Sequence, residues 1–205
     1  MGRLAATSSP LVFDVGANRG QSIARFQRQF ERPLIHAFEP GRGAFAELQR
    51  VCAQTPDLVL NNIALGARRE TRTFLDNDHD DMSSFLEPSV TAWGEIVSRY
   101  PVEVITADDY CQSRGLERID ILKIDTQGFD LEVLRGAEGL MRESAIHLIF
   151  MEVNFADMYK GQPRFDETFA FLADRGFALA SFYDFYYRRD RAAWSDALFI
   201  AGSPR

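Results

Sequence analysis

The stretch Leu11-Val-Phe-Asp-Val-Gly-Ala-Asn-Arg-Gly-Gln21 constrains the fold most. Leu11 to Val15 is an apolar run of the kind found in a parallel strand buried on both faces. A turn of small and polar residues, Gly16-Ala17-Asn18-Arg19-Gly20, ends it, and Ile23, Phe26 and Phe30 then share one face of a helix. A strand, a glycine-bearing turn and a helix start form a nucleotide-binding device. Glycine lets the backbone approach a ligand closely, and the helix start offers unpaired N–H groups. Glu39 ends the next apolar run, Leu34 to Phe38, 19 residues after Gly20. An acid at that strand tip can accept hydrogen bonds from both hydroxyls of a ribose.

The turn departs from the dinucleotide fingerprint. That fingerprint needs glycine at the first, third and sixth positions of the turn, and here those are Gly16, Asn18 and Gln21. No Gly-Lys-Ser/Thr of a P-loop is present. The order Asp-x-Gly-x-Asn-x-Gly, residues 14–20, instead resembles motif I of the class I S-adenosylmethionine-dependent methyltransferases.

Apolar runs alternate with amphipathic stretches along nearly the whole chain, the pattern of a parallel sheet covered by helices on both faces. Strands are expected at 11–15, 34–38, 58–63, 119–125, 146–152, 177–183 and 197–201, and helices at 21–29, 43–52, 108–112, 131–142 and 165–175. The expected fold is α/β and Rossmann-like: a seven-stranded, mostly parallel sheet. The resemblance adds the strand order and a last, antiparallel strand entered by a hairpin. Residues 1–10 read as a tail and 11–205 as one domain. An insertion at about 70–106 holds two short edge strands, with a loop and a helix laid over the sheet's C-terminal edge.

A second anchor is Ile119-Asp-Ile-Leu-Lys-Ile-Asp-Thr-Gln-Gly-Phe-Asp-Leu-Glu-Val-Leu-Arg-Gly-Ala137. Lys123 stands inside a strand, Asp125 at its tip, and Gly128 in the turn before a helix. This segment resembles the hallmark of the FkbM-like methyltransferases, a Leu-Lys-Ile-Asp-x-x-Gly core followed by Glu-x-Val-Leu-x-Gly-Ala. Phe13-Asp-Val-Gly-Ala-Asn-Arg-Gly20, Phe38-Glu-Pro40 and Asn62-Ile-Ala-Leu65 are similar to residues of that family at matching places, so the likeness covers roughly residues 11–200. Gln127 departs from it: many members carry Glu there, and glutamine hydrogen-bonds but takes no proton at neutral pH.

The resemblance implies methyl transfer from S-adenosylmethionine to a hydroxyl of a sugar, glycan, polyketide or peptide product. It implies that Asp14 and the turn Gly16, Ala17, Asn18 and Gly20 hold the methionine tail. Glu39, followed by Pro40, would bind the ribose, Asn62 and Ile63 would border the adenine, and Asp125 would approach the sulfonium. A hydroxyl acceptor must lose a proton to a base or through a metal. Asp125, Glu152 and Asn154 at neighbouring strand tips form an oxygen-rich set that resembles the Mg²⁺ site of catechol-type O-methyltransferases. Without a metal, Asp125 serves the cofactor, and Glu152, or His79 carried on a lid, takes the proton. Phe129, Met158 and Tyr159 are candidates for the acceptor pocket. Two other classes remain open: a non-catalytic S-adenosylmethionine-binding module, and an NAD-dependent sugar reductase, which the failed glycine fingerprint argues against.

The net charge of −7 argues against a nucleic-acid partner held through phosphates. Cys52 and Cys111 have no metal-ligand spacing and read as free thiols, which, with no apolar leader in residues 1–10, points to the cytoplasm. No apolar run reaches the length of a membrane span. The partners expected are a small-molecule or glycan acceptor, with a homo-oligomer left open. The run Asp76, Asp78, Asp80, Glu87 has the spacing of a calcium loop but puts Asp81 where that loop needs glycine.

Overall fold

The computed structural model describes residues 7–202; residues 1–6 of the expected tail lie outside the described residues. Seven strands form one sheet: β1 (Leu11–Val15), β2 (Leu34–Phe38), β3 (Leu58–Asn61), β7 (Ile119–Ile124), β8 (Ile146–Asn154), β9 (Phe177–Arg188) and β10 (Arg191–Ala201). Their order is β3-β2-β1-β7-β8-β10-β9. The pairs from β3 to β8 are parallel, and β10 runs antiparallel to both β8 and β9. The fold is therefore the Rossmann-like α/β sheet that the sequence predicts. The order reverses between β1 and β7, so the tips of these two strands open a crevice at the carboxyl edge.

Alternation along β1 separates the two cores. Phe13 packs with Phe38, Leu122, Ile124 and Met151 against α3 (Ala107–Arg114), α4 (Asp130–Arg135), α5 (Glu138–Arg142) and α6 (Phe165–Asp174). Val12 packs with Ile35, Ile121 and Leu148 against α1 (Gln21–Gln29) and α2 (Arg42–Val51). All six residues of β7 are buried, which requires an apolar run with few exceptions. Burying each such side chain contributes about 1.5–3 kcal/mol, so truncating Phe13 would cost about 3–5 kcal/mol.

Three expectations need correction. The helix expected over 131–142 is two short helices, α4 and α5. The break is at Gly136, where a Cβ would lie 2.0 Å from the Gly66 carbonyl oxygen. The Asp108 carboxylate accepts from the N–H groups of Gly139 and Leu140 at 2.8 and 3.0 Å and so caps α5. The insertion contains no α-helix among its described residues. It is a small sheet of β4 (Ala64–Leu65), β6 (Ile96–Ile105) and β5 (Glu70–Asn77), followed after β5 by a single 3-10 turn, Asp80–Met82. Phe74, Tyr100, Val102 and Val104 form its core, and these alternate along the chain as a strand requires. The hairpin strands β9 and β10 are also longer than expected. They join through Arg189 and Asp190, whose φ of 49° and 62° suit a two-residue turn of type I′.

Candidate active site at the carboxyl edge of the sheet

The turn after β1 is held tightly from below. Gly16 has φ of 77°, and a Cβ there would stand 1.9 Å from the Asp125 carbonyl oxygen, so no other residue fits without backbone movement. Gly20 opens α1 at φ of 92°. Its missing side chain faces Cys52 Sγ and Leu48.

The N–H groups of this turn are not free for a ligand in the way the sequence implies. Gly16 and Ala17 both donate to the Phe38 carbonyl at 3.0 and 3.1 Å. Asn18 N–H donates to Glu39 Oε2 at 2.8 Å, and Gly41 N–H to Glu39 Oε1 at 2.7 Å. The Asn62 side-chain amide donates to the Glu39 carbonyl at 2.8 Å. Glu39 is thereby fixed at the crevice wall with 6% of its surface exposed. Burial raises its pKa to about 7, against the lowering effect of the Gly41 and Asn18 N–H groups and Lys123.

Asp14 is fully buried beneath the turn. Its Oδ1 lies 3.0 Å from Lys123 Nζ, and its Oδ2 accepts from the Ser22 hydroxyl at 2.5 Å. Lys123 also donates to the Gly16 carbonyl at 2.8 Å and lies 3.8 Å from Asp125 Oδ2. Burial alone would lower the Lys123 pKa, but the carboxylates of Asp14 and Asp125 raise it, so the group stays charged. Asp14 thus reaches the crevice through Lys123 rather than by its own surface.

Two cavities flank the Gly16 turn. One is walled by Phe38, Glu39, Pro40, Leu65 and Phe129, with Phe74 and Phe85 of the insertion across from them. The other, of about 290 Å³, is lined by Ser22, Arg25, Lys123, Phe150, Glu152 and Asp196. They share Gly16, Asn18, Asp81 and Asp125. At this junction Asn18 Oδ1 is buried without a hydrogen-bond partner. Across the opening, the Arg19 guanidinium pairs with Asp80 of the 3-10 turn at 2.5 Å.

Neither of the residues expected beside the adenine lines the Glu39 cavity. Asn62 is exposed and Ile63 half-buried, and Ala64 and Leu65 line the cavity instead, because β3 ends at Asn61 and the chain turns inward at β4. His79 is exposed and lines neither cavity. Its N–H is tied to Asn77 Oδ1 at 2.9 Å, so the structure does not bring it to Asp125 and Glu152.

Asp196 was missed by the sequence reading. The antiparallel register of β10 places it directly opposite Glu152. Burial raises the Glu152 pKa well above the carboxylate range, and Asp125, Asp130 and Asp196 add to the effect. The Asp196 pKa rises to about 6, through burial and then the charge of Asp125. Gln127, in the left-handed region at φ of 54°, bridges two groups. It donates to Asp125 Oδ1 at 2.8 Å and accepts from the Tyr159 hydroxyl at 2.7 Å. Asp130 accepts from Thr126 N–H, the Thr126 hydroxyl and Gly128 N–H, which fixes the turn after β7.

The donor set Asp125, Glu152 and Asn154 does not fit Mg²⁺. Asn154 lines a different cleft from Asp125, on the other side of Glu152, and its amide points an N–H at Glu152 Oε1, 3.4 Å away. Asp125 already has a cation beside it, the Lys123 ammonium 3.8 Å from its Oδ2. Among the described residues, no group of three or more His, Cys, Asp or Glu side chains is arranged to hold a metal ion.

The model of the methyltransferase FkbM domain matches residues 14–179. The 2-O-methyltransferase NoeI of Sinorhizobium fredii is 26% identical over 164 residues, which cover 75% of this chain and 67% of the relative. The methyltransferase sdnD of Sordaria araneosa is 25% identical, over 92% of this chain and 78% of its own. Among solved structures, a precorrin-6y C5,15-methyltransferase of Geobacter metallireducens superposes with a TM-score of 0.56 at 10% identity, covering 98% of this chain and 84% of the other. Fibrillarin of Aeropyrum pernix, solved with natively bound S-adenosyl-L-methionine, gives 0.53 at 13% identity, covering 96% and 69%. The structural likeness confirms the fold, and the family match over residues 14–179 goes further: the chain belongs to the FkbM methyltransferase family, whose members depend on S-adenosylmethionine.

Proposed function

We propose that this protein methylates a hydroxyl oxygen of a sugar, glycan or polyketide-type product, and that Glu152 accepts the proton. One observation carries the reading. A pair of half-buried carboxyl groups with raised pKa values, Glu152 and Asp196, lines a cavity that meets the Glu39 cavity at Gly16, Asn18 and Asp125. The 2-O-methyltransferase among the relatives supports an oxygen acceptor.

When bound, S-adenosylmethionine supplies a methyl group on a positively charged sulfur, open to in-line displacement. The chain's own residues position the partners. Glu39 accepts from the two ribose hydroxyls through lone pairs that Asn18 and Gly41 leave free. Phe38, Pro40, Leu65 and Phe129 offer apolar walls to the base. The unpartnered Asn18 Oδ1 accepts from the ammonium of the methionine tail. Asp14 contributes by holding Lys123, and through it the Gly16 carbonyl and Asp125. Glu152 would take the proton of the acceptor hydroxyl to which that methyl group passes. A carboxylate with a raised pKa is a stronger base than an ordinary one and nearer the operating pH.

The test is formation of S-adenosylhomocysteine from S-adenosylmethionine with a panel of hydroxyl-bearing sugars, with and without EDTA. Turnover that survives EDTA is expected. Turnover lost to EDTA and restored by Mg²⁺ would contradict the metal-free route. Cofactor binding with no turnover on any acceptor would favour a non-catalytic module.

A further inference from the structure

Another cleft, of about 680 Å³, lies beyond the carboxyl end of β8, at the tip of the β9–β10 hairpin. Arg188, Arg189 and Arg191 line it, with Thr91 of the insertion and with Phe155 and Asp157 from the segment after β8. In a chain of net charge −7, three guanidinium groups at one tip reverse the local sign. Asp157 in the lining and Asp190 in the turn offset part of that charge. Arg188 is anchored: it donates to the Thr91 carbonyl, and its guanidinium lies 5.3 Å from the centre of the Trp93 ring. The side chains of Arg189 and Arg191 have no ion pair, hydrogen bond or ring contact among the described residues.

Phe155 brings an aromatic ring into the cleft beside these cations. Phe155 stacks on Phe185 with centroids 6.0 Å apart and planes at 13°, and Tyr186 stacks on Trp194 at 5.1 Å and 12°. Phe155, Phe185 and Tyr186 are all exposed. Such faces suit a sugar ring or a flat apolar group, and guanidinium groups suit the oxygens of a carboxylate, phosphate or sulfate.

The cleft is also placed to serve the reaction. Phe155 follows Glu152 by three residues, just past the end of β8, and Arg191 opens β10 five residues before Asp196. At a strand rise of about 3.3 Å per residue, these offsets span at most roughly 10–17 Å along the chain. We propose that the cleft is an acceptor subsite that holds an anionic group, a carboxylate, phosphate or sulfate, one or two sugar units from the hydroxyl that is methylated. The inference rests on the methyl-transfer reading above. A nucleic-acid backbone is the less favoured anion, because a single cationic tip neutralises few phosphates and the rest of the chain repels them.

The test uses the full chain saturated with S-adenosylhomocysteine. Calorimetry compares a sulfated disaccharide with the same disaccharide lacking sulfate, at constant ionic strength. The sulfated sugar is expected to bind at least about tenfold more tightly. The double variant Arg189→Gln/Arg191→Gln should lose that advantage, and Arg189→Lys/Arg191→Lys should keep part of it. Thermal unfolding and S-adenosylhomocysteine affinity check that the variants are folded. Equal affinity for the two sugars, or an advantage that survives the double glutamine variant, would overturn the subsite. So would tighter binding of a single-stranded oligonucleotide than of the sulfated sugar. Failure of the wild-type protein to bind S-adenosylhomocysteine would instead strike the methyl-transfer reading itself.

Discussion

The carboxylates on the two sides of the crevice are treated in opposite ways. On the β1–β2 side, Asp14 is matched by Lys123 and Ser22, and each oxygen of Glu39 accepts a backbone N–H. On the β8–β10 side, Glu152 and Asp196 stand opposite each other, and Glu152 accepts a long hydrogen bond, 3.4 Å, from the Asn154 amide. Groups that hold a ligand must not move, and hydrogen bonds fix them. A group that must take up a proton is better left with like charges beside it, which raises its affinity for one. On the proposed function, the contrast separates a binding half from a reacting half within a single sheet edge.

The largest effect that would break this division is at the turn both halves share. Gly16→Val puts a branched side chain where even a Cβ meets the Asp125 carbonyl oxygen, so cofactor binding should fall below detection in calorimetry. Normal binding by that variant would mean the turn is not part of the site. Next, Glu152→Gln should slow turnover by about 10²–10⁴-fold, as expected for loss of a general base. S-adenosylhomocysteine affinity should change far less. A Glu152→Gln enzyme with wild-type kcat would remove the base from the reacting half. On the binding side, Glu39→Ala should weaken the cofactor at least about tenfold, since charge-assisted bonds are worth roughly 1.5–3 kcal/mol each. An unchanged affinity in a folded variant would show that Glu39 does not take the ribose.

The smallest effect concerns pH. Because the free carboxylate is the active form, kcat/KM should rise with pH through the raised values of the Glu152–Asp196 pair, above the ordinary carboxylate range. The two titrate together. Asp196→Asn removes a negative neighbour, so Glu152 should give up its proton more readily and the acid limb of the profile should move to lower pH. A limb that stays in place would show that the two acids do not interact. Glu39 offers the matching measurement on the other side. Its carboxyl carbon resonance should titrate near pH 7 in the free protein. Hydrogen bonds from a bound ribose favour the charged form, so S-adenosylhomocysteine should lower that midpoint.

Much of this architecture is legible in the sequence, and the reasons differ by element. β1, β2, β7 and β8 are buried on both faces, so they appear as near-continuous apolar runs whose tips fix Gly16, Glu39, Asp125 and Glu152 at one edge. The break between α4 and α5 was hidden, because the Gly66 carbonyl and the Asp108 carboxylate that shape it come from distant segments. The hairpin extends past the rest of the sheet, where Tyr186 and Tyr187 face solvent and no core imposes a simple alternation. Asp196 gave no signal of its own. It is a lone acid in the middle of a strand, and only the register of β10 against β8 shows that it faces Glu152. The acidic run 76–81 suggested a lid carrying His79. The structure presents Asp80 and Asp81 to the cavities and leaves His79 outside.

The division of the crevice is tested most directly by a crystal structure of the complex with S-adenosylhomocysteine. The account predicts both ribose hydroxyls on the Glu39 carboxylate and the base between Leu65 and Phe129. The thioether sulfur should sit at the junction beside Gly16 and Asp125, facing the cavity of Glu152 and Asp196. A ribose bound away from Glu39, or a sulfur directed away from the Glu152–Asp196 pair, would contradict it.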